Sequence, residues 1–255
     1  MTTSTTVPPS QRPTPDTLII AYQGTDGSYS QIAAESHFEK KKIWCRGHDT
    51  FRQILEAVEN GAADYAMQPI ENTTAGSINE AYDLLARMNL FVVGEEVLRV
   101  EHCLLALPNV QLDQIRRVYS HPQALAQCSD FLASLPGCEA IAFTDTAMSV
   151  RRVRDEKNPA QAAVASELAG KIYGLRVLKR DIANQRDNFT RFVVVSKTPA
   201  SYAEDIACKT SLIFTTRHEQ GALVRCLNIL AERGLNLTKL ESRPRPQTPF
   251  EYIFY

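Results

Sequence analysis

The sequence has no run of 18 or more apolar residues, so no segment reads as a membrane-spanning helix. None of its six cysteines, at 45, 103, 128, 138, 208 and 226, forms a CxxC pair. That removes the spacing of a zinc site or a dithiol redox motif. Reduced thiols in an intracellular protein, most of them buried, are the expectation. Charge of either sign is not in excess: 28 Lys and Arg against 29 Asp and Glu give a formal net charge of -1, and no global basic field for nucleic acid. HExxH, a nucleophile elbow and a paired-carboxylate motif are missing, as are the GxGxxG and P-loop phosphate signatures. The five His residues, at 37, 48, 102, 121 and 218, are scattered, so no metal cluster is expected. Residues 1–16 are nearly free of large apolar groups and rich in Thr, Ser and Pro. Such a stretch cannot bury enough surface to offset its ordering entropy, so a disordered leader is expected. It lacks the apolar core of a secretory signal. It is Ser/Thr-rich and acid-poor, as transit peptides are, but its only basic residue is Arg12. The cytoplasm is the expected compartment, or the plastid stroma if the source is a plant or alga.

What is present is an ordinary core composition, 44% apolar over 255 residues. Apolar strand-length runs at 18–22, 65–70, 91–100, 103–107, 118–120, 140–143, 162–165 and 192–195 alternate with helical segments. The helices are expected to start near Ser28, Thr50, Gly76, Ser120, Asp145 and Ser166. This alternation predicts an α/β architecture. Thr50 with Gln53, and Ser120 with Gln123, have capping-box spacing, and Gly61 is placed to end the Thr50 helix. Residues 198–205 read as a linker. Beyond it, a strand at 209–216, a helix at 221–233 closed by Gly234, a strand at 235–242 and a last strand from 251 are predicted.

Four segments put polar residues at the ends of apolar elements, where α/β proteins collect ligands. They are Ala21-Tyr22-Gln23-Gly24-Thr25-Asp26-Gly27-Ser28-Tyr29-Ser30, Pro69-Ile70-Glu71-Asn72-Thr73-Thr74 through Ile78, Ser120-His121-Pro122-Gln123 through Cys128, and Asp187-Asn188-Phe189-Thr190-Arg191-Phe192. Each also has a plain reading. The first is a turn with a Ser cap, and the second is helix capping. A capping box accounts for Ser120 and Gln123 and leaves His121 as a first-turn residue. Arg191 can grip a carboxylate bidentately or end in a surface salt bridge.

In series, these four segments resemble the prephenate and arogenate dehydratases over nearly the whole chain beyond the leader. Gly221-Ala222-Leu223-Val224 and Glu241-Ser242-Arg243-Pro244 resemble the two phenylalanine-site motifs of that family's ACT regulatory domain. The resemblance implies two α/β lobes like type II periplasmic binding proteins, followed by an α+β, ferredoxin-like ACT region. The catalytic region would span 17–197, with lobe one at about 17–97 plus 179–197 and lobe two at about 98–178. Residues 198–207 would be the linker, and 208–255 would hold an incomplete ACT domain. An incomplete domain carries the expectation that phenylalanine inhibition is weakened or lost unless a partner chain supplies the missing packing. The implied activity is decarboxylating dehydration of prephenate to phenylpyruvate in phenylalanine biosynthesis, or of arogenate directly to phenylalanine. A non-catalytic small-acid binding module is the competing class. Aromatisation drives the reaction, so no cofactor is implied. The resemblance assigns proton donation to Thr190, carboxylate binding to Arg191, and the polar lining to Asn72, Thr73, Ser120 and Gln123. L-phenylalanine is the implied effector, and the assembly a homodimer or homotetramer.

Overall fold

A computed structural model describes residues 14–201, 207–245 and 248–255. Most of the expected leader, 1–13, and the linker residues 202–206 lie outside the described residues. The chain divides into two compact units, 1–200 and 201–255.

The first unit opens with β1 (Leu18–Gln23), α1 (Tyr29–His37), β2 (Ile43–His48), α2 (Phe51–Glu59), β3 (Tyr65–Asn72), β4 (Gly76–Ser77), α3 (Asn79–Leu85) and β5 (Phe91–Arg99). The α2 helix shows how directly sequence sets local structure. Gln53 N–H donates to Thr50 Oγ1 at 3.2 Å, and Thr50 N–H donates back to Gln53 Oε1 at 3.2 Å. Ile54, Leu55 and Val58 form its buried stripe, and Gly61 leaves the helix at φ +73, a conformation only glycine adopts freely.

The chain then crosses to a second sheet: β6 (Cys103–Ala106), β7 (Arg117–Ser120), α4 (Pro122–Gln127), α5 (Ser129–Ala133), β8 (Glu139–Ala142), α6 (Thr146–Glu156), β9 (Gln161–Ala165), α7 (Glu167–Tyr173) and β10 (Arg176–Lys179). It crosses back and ends the unit with β11 (Phe189–Ser196). The first sheet runs β2-β1-β3-β11-β5 with β4 on β3, and the second β10-β6-β9-β7-β8. The lobes therefore share two crossovers, 100–102 and 180–188. These are tied together where Val100 N–H donates to the Asn188 carbonyl at 2.8 Å.

Strand alternation sorts the first sheet into two faces. Ile20, Tyr22, Met67, Phe192 and Val194 pack under α1 with Ala33 and Ala34. Ile19, Ala21, Ala66, Val193 and Val195 pack under α2 and α3 with Ile54, Leu55 and Leu84.

Several expectations need correction. Gly76 does not start a helix; at φ +83 it opens the short strand β4 against β3, and α3 begins at Asn79. The strand β2, half-buried along its length, and the short β10 lacked an apolar run long enough to announce them. Ser120 is not a cap: its hydroxyl donates to the Val164 carbonyl at 2.6 Å. His121 is the N-cap instead, its Nδ1 accepting from Gln123 N–H at 3.2 Å. Pro122, with no N–H to satisfy, takes the first helical position.

The second unit holds β12 (Phe214–Thr215), α8 (Ala222–Glu232), β13 (Ser242–Pro244) and β14 (Tyr252–Phe254), in sheet order β12-β14-β13. The strand predicted at 209–216 shrinks to Phe214–Thr215, and the one predicted at 235–242 overlaps β13 only at Ser242. Leu212, Ile213, Leu235 and Leu237 stay about half exposed, so no buried face rewards extending the strands. Among the described residues, no helix is long and apolar enough to cross a membrane.

Candidate active site

The two crossovers and the end of β3 meet at one polar cluster. Asn72, the last residue of β3, faces Thr190 of β11 in the strand pairing. The loop after Asn72 folds back so that Asn72 Oδ1 accepts from the backbone N–H groups of Thr74 and Ala75, both at 3.0 Å. Two backbone donors on one oxygen fix which end of the amide is which. The Nδ2 group must therefore face Asn188 Oδ1 at 2.8 Å, the Phe189 carbonyl at 3.1 Å and Thr190 Oγ1 at 2.9 Å. Because Nδ2 can only donate, Thr190 accepts there and keeps its own proton free.

The same polarity runs around a closed ring. Asn72 donates to Asn188, and Asn188 Nδ2 donates to Gln127 Oε1 at 3.0 Å. Gln127 Nε2 donates to Thr74 Oγ1, whose hydroxyl donates to Asn72 Oδ1 at 2.6 Å. Asn72 and Asn188 are buried, so their partners here stand in for water. Beside the ring lies a cavity of about 280 Å³ lined by Thr74, Gln123, Gln127, Ala183, Asn184 and Asn188, among others.

Not every residue picked out in the sequence joins this group. Asn72, Thr190 and Asn188 form the cluster, and Gln123 lines the cavity. Thr73 is occupied elsewhere: its hydroxyl donates to the Asp187 carbonyl and accepts from Phe189 N–H, both at 2.9 Å, which staples the second crossover. Ser120 is fully buried on Val164. Arg191 lies apart from the cluster. Adjacent residues of a strand project to opposite faces. Thr190 turns to Asn72 on the α1 side, while Arg191 lies with Glu71 at 3.4 Å and Glu95 at 2.8 Å. Two carboxylates already hold the guanidinium that was expected to hold a ligand's.

Three contributors went unnoticed in the sequence. Gln127 sat inside a quoted motif, but nothing in its spacing distinguished it from a helix-surface residue. Tyr29 sat inside the first candidate segment but was given no role, and His102 was a single residue without a pattern; the fold brings Tyr29 Oη within 2.9 Å of His102 Nδ1. Burial pushes the Tyr29 phenol well above its ordinary range and pulls His102 below its own. Where lobe meets lobe, Ser166 caps α7 and also donates to the Gly27 carbonyl at 2.6 Å.

Comparison with known proteins bears on this arrangement. The family model described as prephenate dehydratase matches residues 20–200. The bifunctional chorismate mutase/prephenate dehydratase of Escherichia coli is 43% identical over 245 residues, 94% of this chain and 63% of that protein. The arogenate dehydratase/prephenate dehydratase 2 of Arabidopsis thaliana, described as chloroplastic, is 43% identical over 92% of this chain and 64% of its own length. The chain thus spans somewhat under two thirds of these relatives. Among solved structures, the prephenate dehydratase of Arthrobacter aurescens in complex with L-Phe aligns with a TM-score of 0.78 and 29% identity, covering 93% of this chain and 78% of that one. A structure described as GqqA, a novel type of quorum quenching acylase, aligns at 0.80 and 35%, covering 92% and 85%. A family match across most of the chain, joined to relatives this similar over nine tenths of it, establishes that the chain belongs to the prephenate dehydratase family.

Proposed function

We propose that the chain is a decarboxylating dehydratase, converting prephenate to phenylpyruvate, water and carbon dioxide, with arogenate as the alternative substrate giving L-phenylalanine. The observation that carries this is the polarity of Asn72. Its Nδ2 occupies a lone pair of Thr190 Oγ1 and leaves the Thr190 proton to be donated. In the reaction the bond from ring to carboxylate breaks and carbon dioxide departs. Its electron pair enters the ring, and the ring hydroxyl leaves from the opposite carbon. Hydroxide is a poor leaving group, and a hydrogen bond that strengthens as charge develops on it lowers the barrier. Thr190 fills that role. Asn72 and Asn188 orient it, and Gln123 and Gln127 line the cavity beside the amide ring.

In this reading Thr73, Ser120 and Arg191 hold the site together rather than touch substrate. The catalytic region takes 17–197 as two lobes, and the regulatory, ACT-like region takes 208–255. L-phenylalanine is the proposed effector, bound by Gly221, Ala222, Leu223 and Val224 together with Glu241, Ser242, Arg243 and Pro244. The first four of these border a cavity of about 430 Å³ in the second unit, with Tyr252 and Phe254 opposite. A homodimer or homotetramer is the proposed assembly.

The test is direct. The chain is mixed with prephenate and, separately, arogenate, and phenylpyruvate absorbance in alkali or phenylalanine is followed. Turnover of either supports the reading and ranks the two substrates. Calorimetric binding of both with no product replaces it with a small-acid binding module.

A further inference from the structure

His102 lies outside every motif that carries the family resemblance. It sits on the first crossover, 2% exposed, with both ring nitrogens engaged. Nδ1 meets Tyr29 Oη at 2.9 Å, on the first residue of α1 in lobe one. Nε2 meets Gln127 Oε1 at 2.8 Å, on the last residue of α4 in lobe two. The proton positions follow from the ring of amides. Gln127 Oε1 already accepts from Asn188, so it is the oxygen end, and only a protonated Nε2 suits it. A neutral ring protonated on Nε2 leaves Nδ1 bare, and the single Tyr29 proton is shared between Nδ1 and the Glu101 carbonyl, 2.8 Å from Oη.

We propose that His102 is a positioning residue: as the neutral imidazole protonated on Nε2, it pins the Gln127 amide and so fixes Asn188, Asn72 and the free proton of Thr190. The ring then has two locks, the backbone N–H groups on Asn72 and His102 on Gln127. Tyr29 ties the second lock to lobe one, so closing the lobes and orienting Thr190 become one event. Burial favours the neutral form this role needs. The inference rests on the dehydratase reading for its kinetic consequences, but not for its tautomer.

Two substitutions separate positioning from packing. His102→Gln keeps a donor near the Nε2 position. His102→Asn puts its amide near Nδ1 and leaves Gln127 Oε1 without that donor. Losing one orienting hydrogen bond should lower kcat of the Asn variant about tenfold, with KM moved less than about twofold, while the Gln variant stays within about threefold of wild type. In a Thr190→Val background, His102→Asn should cause no further loss, because its effect runs through Thr190. Nitrogen-15 NMR of the wild-type chain at pH 7.5 should show His102 protonated on Nε2 alone. Wild-type kcat in the Asn variant, an additive loss in the double variant, or a proton on Nδ1 would each overturn the inference. If the Asn variant does not fold, the NMR tautomer and the Gln variant decide. A wild-type chain that turns over neither substrate sinks the dehydratase reading instead, and the NMR result still judges the tautomer.

Discussion

Replacing Thr190 by Val removes one oxygen and keeps the shape of a β-branched strand residue. The structure predicts a large catalytic loss with little structural loss. Asn72 Nδ2 carries two protons and faces three acceptors: Asn188 Oδ1, the Phe189 carbonyl and Thr190 Oγ1. Without Thr190 Oγ1, both protons still have partners, so no buried donor is orphaned. The stability cost should stay below about 1 kcal/mol, the net worth of one ordinary hydrogen bond. The reaction loses its positioned proton donor, typically worth roughly 10²–10⁴-fold, which is about 2.7–5.5 kcal/mol of barrier. The assay pairs kcat on prephenate with thermal unfolding of the same preparation. Expected are a fall in kcat of at least about a hundredfold and a melting temperature within a few degrees of wild type. Retained kcat would refute the role given to Thr190. A collapse in stability matching the loss of activity would refute the account of Asn72.

Two further perturbations probe the lobes. Gly27 has φ +89, and a Cβ there would lie 2.6 Å from Ala169 Cα in the opposite lobe. Gly27→Ala should therefore cost about 1–3 kcal/mol or force the lobes apart. Either a lower melting temperature or a raised KM registers it, and a variant unchanged in both would contradict the close packing. His102 gives the stability a pH dependence of known sign. Burial lowers its folded pKa below the ordinary 6.5, so below that value the unfolded chain binds more protons than the folded one. Its contribution is fully present above pH 6.5 and is lost as pH falls toward the folded value. Melting temperature should drop on moving from about pH 7 to 5.5, and less steeply in His102→Gln. Equal slopes would assign the acid sensitivity elsewhere, for instance to His48, which burial also lowers.

Local sequence settled much of the first unit. The capping box at Thr50 with Gly61 behind it set α2, and apolar runs set β1, β3, β6, β9 and the inner part of β11, since each is a short-range preference reinforced by burial. Motif order sufficed for the family, and for Asn72 and Thr190 as partners. Sequence could not decide which polar side chains spend their hydrogen bonds on the fold. Thr73, Ser120 and Arg191 sit in the same motifs as Asn72 and Thr190. Yet Thr73 staples a crossover, Ser120 caps a carbonyl, and Arg191 faces Glu71 and Glu95. Strand parity alone sends Arg191 away from Thr190, but which face holds the cluster depends on where β3 ends and how its loop turns back. Nor can a one-dimensional pattern bring Tyr29, His102 and Gln127 together, because their contact exists only where the chain crosses twice between sheets. Sequence determined the elements and the family. Tertiary structure decided which polar groups are free to act, because a hydrogen bond made across 116 residues of chain, as from Asn72 to Asn188, leaves no local signature.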